Sequence, residues 1–347
     1  MNARFAVNLC LVLLLASATA AQEFGPWSAP VNLGPAVNSK WDDMHPALSK
    51  GGLTMIFSST RPGGAGGQDL WVSQRDSIDS PWQNPQNLSM INSPYDDHAP
   101  NFTTDGHWLF FHSTRPGGCD AGQRVELWAA HRQNNRDDFG WEAPINLGCV
   151  LNIAGADDAG PTYWEDDTTG THYLYFTRNY TPANPNGYNI YVSTCSADLD
   201  SCIEQQLWSP GAYVVELNSP GFRNTRTAIR RRDGLEMLIS SNRPGTTGNL
   251  DLWVSTRNTV NDPWSMAVDV NEDNVAKGGE PVINTVFNDA APALSWDGQT
   301  MVFYSNRPGG LGGNDLYMST RQKITDPTSR PFQEQLVKAA SGSLVGQ

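Results

Sequence analysis

Beyond its first residues the chain has no apolar run long enough to span a bilayer, which argues against any membrane-spanning segment there. It is short of basic charge: 23 Lys and Arg stand against 36 Asp and Glu, a formal net charge of −13. That balance excludes nucleic acids and anionic lipid surfaces as natural partners. Its six histidines form no HExxH motif, and no EF-hand spacing, Gly-x-Ser-x-Gly elbow, phosphate loop or dinucleotide fingerprint occurs. Zincin, P-loop, Rossmann and α/β-hydrolase chemistry are therefore not expected. Cysteine is scarce, with five in all, and their spacing fits no zinc pattern. What the chain has in quantity is Gly and Pro, 32 and 23 residues placed in recurring turns, and enough hydrophobic residues (39%) for a packed core.

The opening MNARFAVNLCLVLLLASATAAQ has a basic start at Arg4, an apolar run from Leu9 to Leu15, and small residues Ala18-Thr19-Ala20. This reads as a signal peptide over residues 1–21, and it predicts a secreted or periplasmic protein. An uncleaved anchor is the alternative, disfavoured by the short run. Cys10 has no lipoprotein context. Four cysteines remain after cleavage, and export permits disulfides. Cys195 and Cys202 flank a short polar loop and should bridge locally, which leaves Cys119 and Cys149 to pair across neighbouring repeats.

The repeat is clearest in Asn38–Arg75, NSKWDDMHPALSKGGLTMIFSSTRPGGAGGQDLWVSQR, and four variants follow. Each is introduced by a Trp-led segment, at Trp27, Trp82, Trp141, Trp208 and Trp264. An acidic or polar pair precedes the first strand: Asp42-Asp43, Asp96-Asp97, Asp157-Asp158, Asn224-Thr225 and Asn288-Asp289. Turns such as Asp105-Gly106 and Asp297-Gly298 suit tight hairpins. A second apolar strand runs to a Ser-x-Arg-Pro and a glycine-rich loop, and a third begins Asp69-Leu70-Trp71 or its equivalent.

Three strands per repeat, with the next Trp-led segment as the fourth, make one propeller blade. The expected fold is all-β: a five-bladed β-propeller of four-stranded antiparallel blades over residues 22–338, closed by the N-terminal strand at Trp27–Leu33. Phe332–Val337 is a weaker competitor for that closing place, and residues 339–347 read as a flexible tail. The segments Asp42–Ser73 (DDMHPALSKGGLTMIFSSTRPGGAGGQDLWVS) and Asn288–Ser319 (NDAAPALSWDGQTMVFYSNRPGGLGGNDLYMS) resemble the TolB-type, WD40-like propeller repeat of bacterial envelope and exported proteins. The resemblance covers nearly the whole mature chain. It implies a fold and leaves activity open, because that repeat serves binding scaffolds and enzymes alike.

Repeated groups point to structure, since a reaction centre needs its groups only once. Arg61, Arg115 and Arg307 are expected to clamp the strand-opening Asp43, Asp97 and Asp289 to the third-strand Asp69 and Asp315, the planar guanidinium suiting two carboxylates. Departures from the repeat point to a site. The third repeat has Tyr180 where Arg is expected and Asn189 where Asp is expected, which would leave Asp157 and Asp158 without a guanidinium. The fourth keeps Arg243, lacks the acidic pair, and adds Arg223 and Arg226. A pocket of these residues could bind a sugar acid or a zwitterion, or raise a carboxyl pKa; the competing reading is that Arg223 or Arg226 neutralises Asp158. Trp41 and Tyr95 are the candidates for exposed stacking, whereas Trp71, Trp128, Trp253 and Tyr317 read as core. His45 and His98, near the acidic pairs, leave a metal at the channel mouth open. No metal site is assigned, with calcium the ion the oxygen-rich loops would best suit. Arg230-Arg231-Arg232 reads as a solvated basic turn.

The leading functional expectation is a monomeric, exported, non-catalytic scaffold that binds a protein or glycan through its Asp-Arg and glycine-loop face, without nucleic acid, membrane insertion or cofactor. The alternative is a carbohydrate-active enzyme, a glycoside hydrolase or lyase, with Asp97 and Asp158 as candidate catalytic carboxylates. Five-bladed rings also occur in glycosidase families, but the near-identical repeats do not resemble their divergent blades. A TolB-like docking role is the third reading.

Overall fold

A computed structural model describes residues 24–120, 124–181 and 184–324. The expected signal peptide, the tail and Phe332–Val337 lie outside the described residues. Five four-stranded antiparallel sheets surround one axis. Strand β1 (Val31–Asn32) comes first in the chain. Blade 1 is β2 (Asp43–Leu48), β3 (Thr54–Ser59), β4 (Asp69–Gln74) and β5 (Gln86–Asn87). Blade 2 is β6 (Asp97–Phe102), β7 (Trp108–Ser113), β8 (Glu126–His131) and β9 (Ile145–Asn146). Blade 3 is β10 (Asp157–Asp166), β11 (Thr171–Asn179), β12 (Asn189–Cys195) and β13 (Ala212–Tyr213). Blade 4 is β14 (Asn224–Ile229), β15 (Glu236–Ser241), β16 (Asp251–Thr256) and β17 (Val268–Asp269). Blade 5 is β18 (Asp289–Leu294), β19 (Thr300–Ser305) and β20 (Asp315–Thr320), and β1 completes it by pairing Val31 with Met318 and Asn32 with Tyr317. The ring is thus closed by its N-terminal strand.

The core sits between blades. Second strands are apolar on both sides because each side faces a neighbouring blade: Met55 and Phe57 pack toward blade 5, while Ile56 packs toward blade 2. Among the described residues there are five such interblade clusters, one per junction. The leading tryptophans Trp27, Trp82, Trp141, Trp208 and Trp264 are all buried in them. In four blades a guanidinium covers that indole, Arg75 over Trp82, Arg132 over Trp141, Arg257 over Trp264 and Arg321 over Trp27, at 4.2 to 4.4 Å. Blade 3 has Cys195 at the corresponding place, bonded to Cys202, the pairing expected from the sequence. Cys119–Cys149 also forms, but it ties the loop before β8 to the turn after β9, within one blade.

Asparagines lock the joints. Asn38, Asn92, Asn152, Asn218 and Asn284 each accept from and donate to one third-strand peptide, that of Leu316, Leu70, Leu127, Ile190 and Leu252 respectively. Among the described residues no helix is long and apolar enough to cross a membrane.

Candidate active site at the ring centre

The inner strands β2, β6, β10, β14 and β18 carry a bulge at one common position, where the register slips after Met44, His98, Ala159, Thr225 and Ala290. There the backbone turns left-handed: φ is 53° at His45, 51° at Ala99, 61° at Gly160, 49° at Arg226 and 49° at Ala291. Such conformations are unfavourable for residues with a Cβ, so the surroundings must hold them. At three of the five the holding group is a side chain on the preceding blade. Ser58 Oγ accepts from the Ala99 N–H at 3.0 Å, and Ser240 Oγ accepts from the Ala291 N–H at 2.9 Å. At the third such joint, His112 Nδ1 accepts from the Gly160 N–H at 3.0 Å. A peptide N–H can only donate, so that nitrogen is unprotonated.

The bulges aim their residues at the ring centre, and most of them are small. The exceptions define a site. His45 and Arg226 stand where other blades have Ala or Gly. His98 stands where others have Met44, Ala159, Thr225 and Ala290. His112 and Tyr304 stand where others have Ser58, Thr177 and Ser240. These five side chains converge. The His45 and His98 rings lie 6.0 Å apart, His98 and His112 stack at 4.8 Å, and Tyr304 meets His45 edge-on at 5.6 Å. Arg226 Nη1 lies 3.4 Å from His112 Nδ1. Burial, reinforced by the Arg226 charge, pushes all three imidazoles below their ordinary range, His98 to about 3, so they are neutral at physiological pH. Burial likewise lowers Arg226 to about 10, where it stays charged.

Beside this cluster Asp157 accepts from the Tyr188 hydroxyl at 3.2 Å, and Arg223 lies 5.3 Å over the Tyr188 ring. Below it the channel narrows to about 40 Å³ of free space between the inner-strand prolines Pro46, Pro100, Pro161 and Pro292. The far end is closed by Arg231, whose guanidinium donates to the carbonyls of Leu48 at 2.7 Å and Phe102 at 3.2 Å. Arg230 pairs with Asp233 and Glu236. The Arg230-Arg231-Arg232 turn is therefore not simply a solvated one: Arg230 and Arg231 are both buried.

The repeated arginines are clamps with one carboxylate each. Arg61 Nη2 lies 2.5 Å from Asp43 Oδ1 and also reaches the Val37 carbonyl, with its Nε on Ser59 Oγ. Arg115 holds Asp97 in the same way, and Arg307 holds Asp289. The expected second carboxylates do something else. Asp69 braces the glycine loop by accepting from the Gly66 N–H, and Asp315 accepts from Leu311 and Gly312. That loop packs so closely on the next blade that a Cβ at Gly66 would sit 2.0 Å from the Tyr95 carbonyl oxygen.

Blade 3 corrects the expectation of unpaired acids. Asp158 is fully buried and its Oδ1 lies 2.6 Å from Arg178 Nε. Arg178 stands opposite Asp158 in the β10–β11 register, at the place of Ser59 in blade 1, and does the work of both the serine and the arginine. Tyr180 is left outside, 58% exposed and edge-on to Tyr191. Burial still raises the Asp158 carboxyl, to about 6, against the pull of Arg178. Arg243 is no pocket residue either: it is the clamp of blade 4, buried, bonded at 3.0 Å to Asn224 Oδ1 and at 2.7 Å to the Leu217 carbonyl. The candidate catalytic pair Asp97 and Asp158 is thus sealed in clamps. Of the expected ligand residues, Asp157, Arg223 and Arg226 reach the ring centre. Trp41 and Tyr95 are exposed by 37% and 45%. His112, Tyr188 and Tyr304 were not expected there. Among the described residues no three His, Cys, Asp or Glu side chains converge as metal ligands.

No family model matches the sequence, and neither does any curated protein sequence. Solved structures match in shape. A thermostable family-43 glycoside hydrolase superposes with a TM-score of 0.54 at 14% identity, over 86% of this chain and 95% of that one. The catalytic domain of a GH62 α-L-arabinofuranosidase from Coprinopsis cinerea gives 0.52 at 12% identity, over 86% and 98%. A GH43_1 enzyme from Xanthomonas citri, complexed with xylose, gives 0.51 at 15% identity, over 84% and 89%. At such identity the likeness establishes the shared fold. These neighbours overturn the TolB-type, WD40-like assignment and the expectation that near-identical repeats set this ring apart from glycosidase propellers. They also overturn the leading reading of a non-catalytic scaffold.

Proposed function

We propose that this chain is an exported carbohydrate-active enzyme that cleaves glycosidic bonds at the mouth of its ring centre. One observation carries this reading: groups able to bind and to move protons replace the small residues of the repeat at the ring centre and converge there. One guanidinium, three neutral imidazoles and a phenol form such a set, and Arg223 stands beside it in the place of Asp42 and Asp96. The solved structures that share the ring support the choice of substrate class, being glycoside hydrolases, one of them holding xylose. Trp41 and Tyr95 add exposed aromatic faces of the kind sugar rings stack on. Two disulfides and the leader-like opening fit a location outside the cytoplasm.

Incubating the purified protein with a panel of neutral and acidic polysaccharides tests this. Release of oligosaccharides from at least one of them, lost in Arg226→Ala, is the expected result. A panel left intact by an undenatured protein would refute the reading.

A further inference from the structure

Glycosidases of the two-carboxylate kind need an acid and a base or nucleophile flanking the bond. The strand-opening carboxylates Asp43, Asp97, Asp158 and Asp289 cannot supply them, because each is sealed against a guanidinium. At the mouth the carboxylate of Asp157 is taken up by the Tyr188 hydroxyl, and two guanidiniums stand beside it. Arg223 and Arg226 make no ion pair among the described residues, and Arg223 Nε is a buried donor without a partner. Two guanidiniums that no carboxylate meets at ion-pair distance, in a chain of net charge −13, are suited to a carboxylate brought by the ligand.

Next to them His45 presents Nδ1, a buried ring nitrogen without a hydrogen-bond partner, with the Tyr304 ring edge-on to it. Burial and the neighbouring guanidinium keep that imidazole neutral with a lone pair available, and a carboxylate held by the guanidiniums would offset the charge that opposes its protonation. Burial also keeps the Tyr304 phenol protonated, so it can donate one.

We infer that the mouth cleaves uronate-bearing glycans by β-elimination, with Arg223 and Arg226 holding the sugar carboxylate, His45 as base and Tyr304 as proton donor. This rests on the reading of the mouth as a glycan-cleaving site. The guanidiniums neutralise the carboxylate and so acidify the hydrogen on C5. His45 takes that hydrogen as a proton, and the C5–H pair becomes the second bond between C4 and C5. The C4–O4 bond breaks, its electron pair leaves with O4, and Tyr304 protonates that oxygen. The imidazolium then returns its proton to the tyrosinate. One chain yields two, one of them ending in a 4,5-unsaturated uronate, and neither water nor an oxidant is consumed.

The test uses the full-length protein with polygalacturonate, alginate, carboxyl-reduced polygalacturonate and neutral arabinoxylan. Products are followed by the ultraviolet absorbance of the conjugated uronate and by mass. Unsaturated ends from a uronate polymer, absent from its carboxyl-reduced form, are expected. His45→Ala and Arg226→Ala should each lower that rate about 100-fold or more. Both should fold, because Ala99 and Ala291 hold the same left-handed position in blades 2 and 5. Products one water heavier, or cleavage of arabinoxylan alone, would overturn elimination while leaving a glycan-cleaving enzyme. Four intact polymers would overturn elimination and count against the wider reading as well.

Discussion

Arg226 of blade 4 reaches across the ring centre to His112 of blade 2, with Nη1 3.4 Å from the same Nδ1 that takes the Gly160 N–H. His112 therefore has two tasks: it fixes the left-handed bulge of blade 3 and it seats the guanidinium. The tasks can be separated. His112→Ser restores the residue that holds the corresponding bulges of blades 2 and 5 and should leave the unfolding midpoint close to that of the parent. His112→Leu strands the buried Gly160 N–H and should cost about 1–3 kcal/mol. Urea titration of the two variants decides it; equal stability would mean that the bulge does not depend on this acceptor.

The clamps predict a stability loss where a catalytic role would predict a loss of rate. Removing the Asp97 carboxylate leaves Arg115 with only its carbonyl and serine partners. Breaking a buried pair from one side typically costs about 3–5 kcal/mol. Asp97→Ala should fall in that range by chemical denaturation. Asp97→Asn should lose less, since Asn224 already performs this task opposite Arg243. A stable but inactive Asp97→Ala would contradict the structural role.

Asp251 sets a pH dependence. Burial, with Asp269 and Asp289 nearby, raises its carboxyl to about 6, although the N–H groups of Thr247 and Gly248 oppose the shift. The folded state thus holds the proton more tightly than the unfolded chain, so this group's contribution to stability declines as pH rises from about 4 to about 6. Asp251→Asn keeps an acceptor for the loop and matches Asn189 of blade 3. It should raise the thermal midpoint at pH 7.5 and change it little near pH 4. A lower midpoint at pH 7.5 would contradict this.

Ring closure rests on few residues. Trp27 is buried between blades 4 and 5, and Asn274 donates to its carbonyl at 3.1 Å. Trp27→Ala should cost about 3–5 kcal/mol. Deleting residues 22–33 should do more, because it uncovers the edge of β20 and invites pairing between copies. Light scattering of the truncated chain should show association; a stable monomer would mean the ring closes without β1.

The two disulfides should differ in weight. By loop-closure entropy the bridge spanning 30 residues, Cys119–Cys149, contributes about 3.6 kcal/mol and the one spanning 7, Cys195–Cys202, about 2.4. Paired Cys→Ala variants compared by denaturation check the order.

The ring was legible because alternation, turn dipeptides and the Trp-led segments repeat in phase, and even its closing strand followed from the count. The site was legible only in part. Aligning β3 with β11 on Phe57 and Phe176 put Tyr180 in the place of Arg61. Nothing in that alignment reveals that a longer side chain two residues earlier, Arg178, can reach the same carboxylate. The inner bulge was the other obstacle. It turns His45 and Arg226 toward the axis, whereas plain strand alternation gives no reason to compare them with Ala99 and Ala291. Comparing every repeat position, including the one shared by Ser58, His112 and Tyr304, would have marked the centre.

The Arg231 plug has a bearing on how material moves. With the floor shut, nothing can be threaded through this ring, so whatever enters must back out by the same door. A long polymer could be engaged only by its tip or by a segment draped over the rim, and spent fragments must clear the opening before the next round begins.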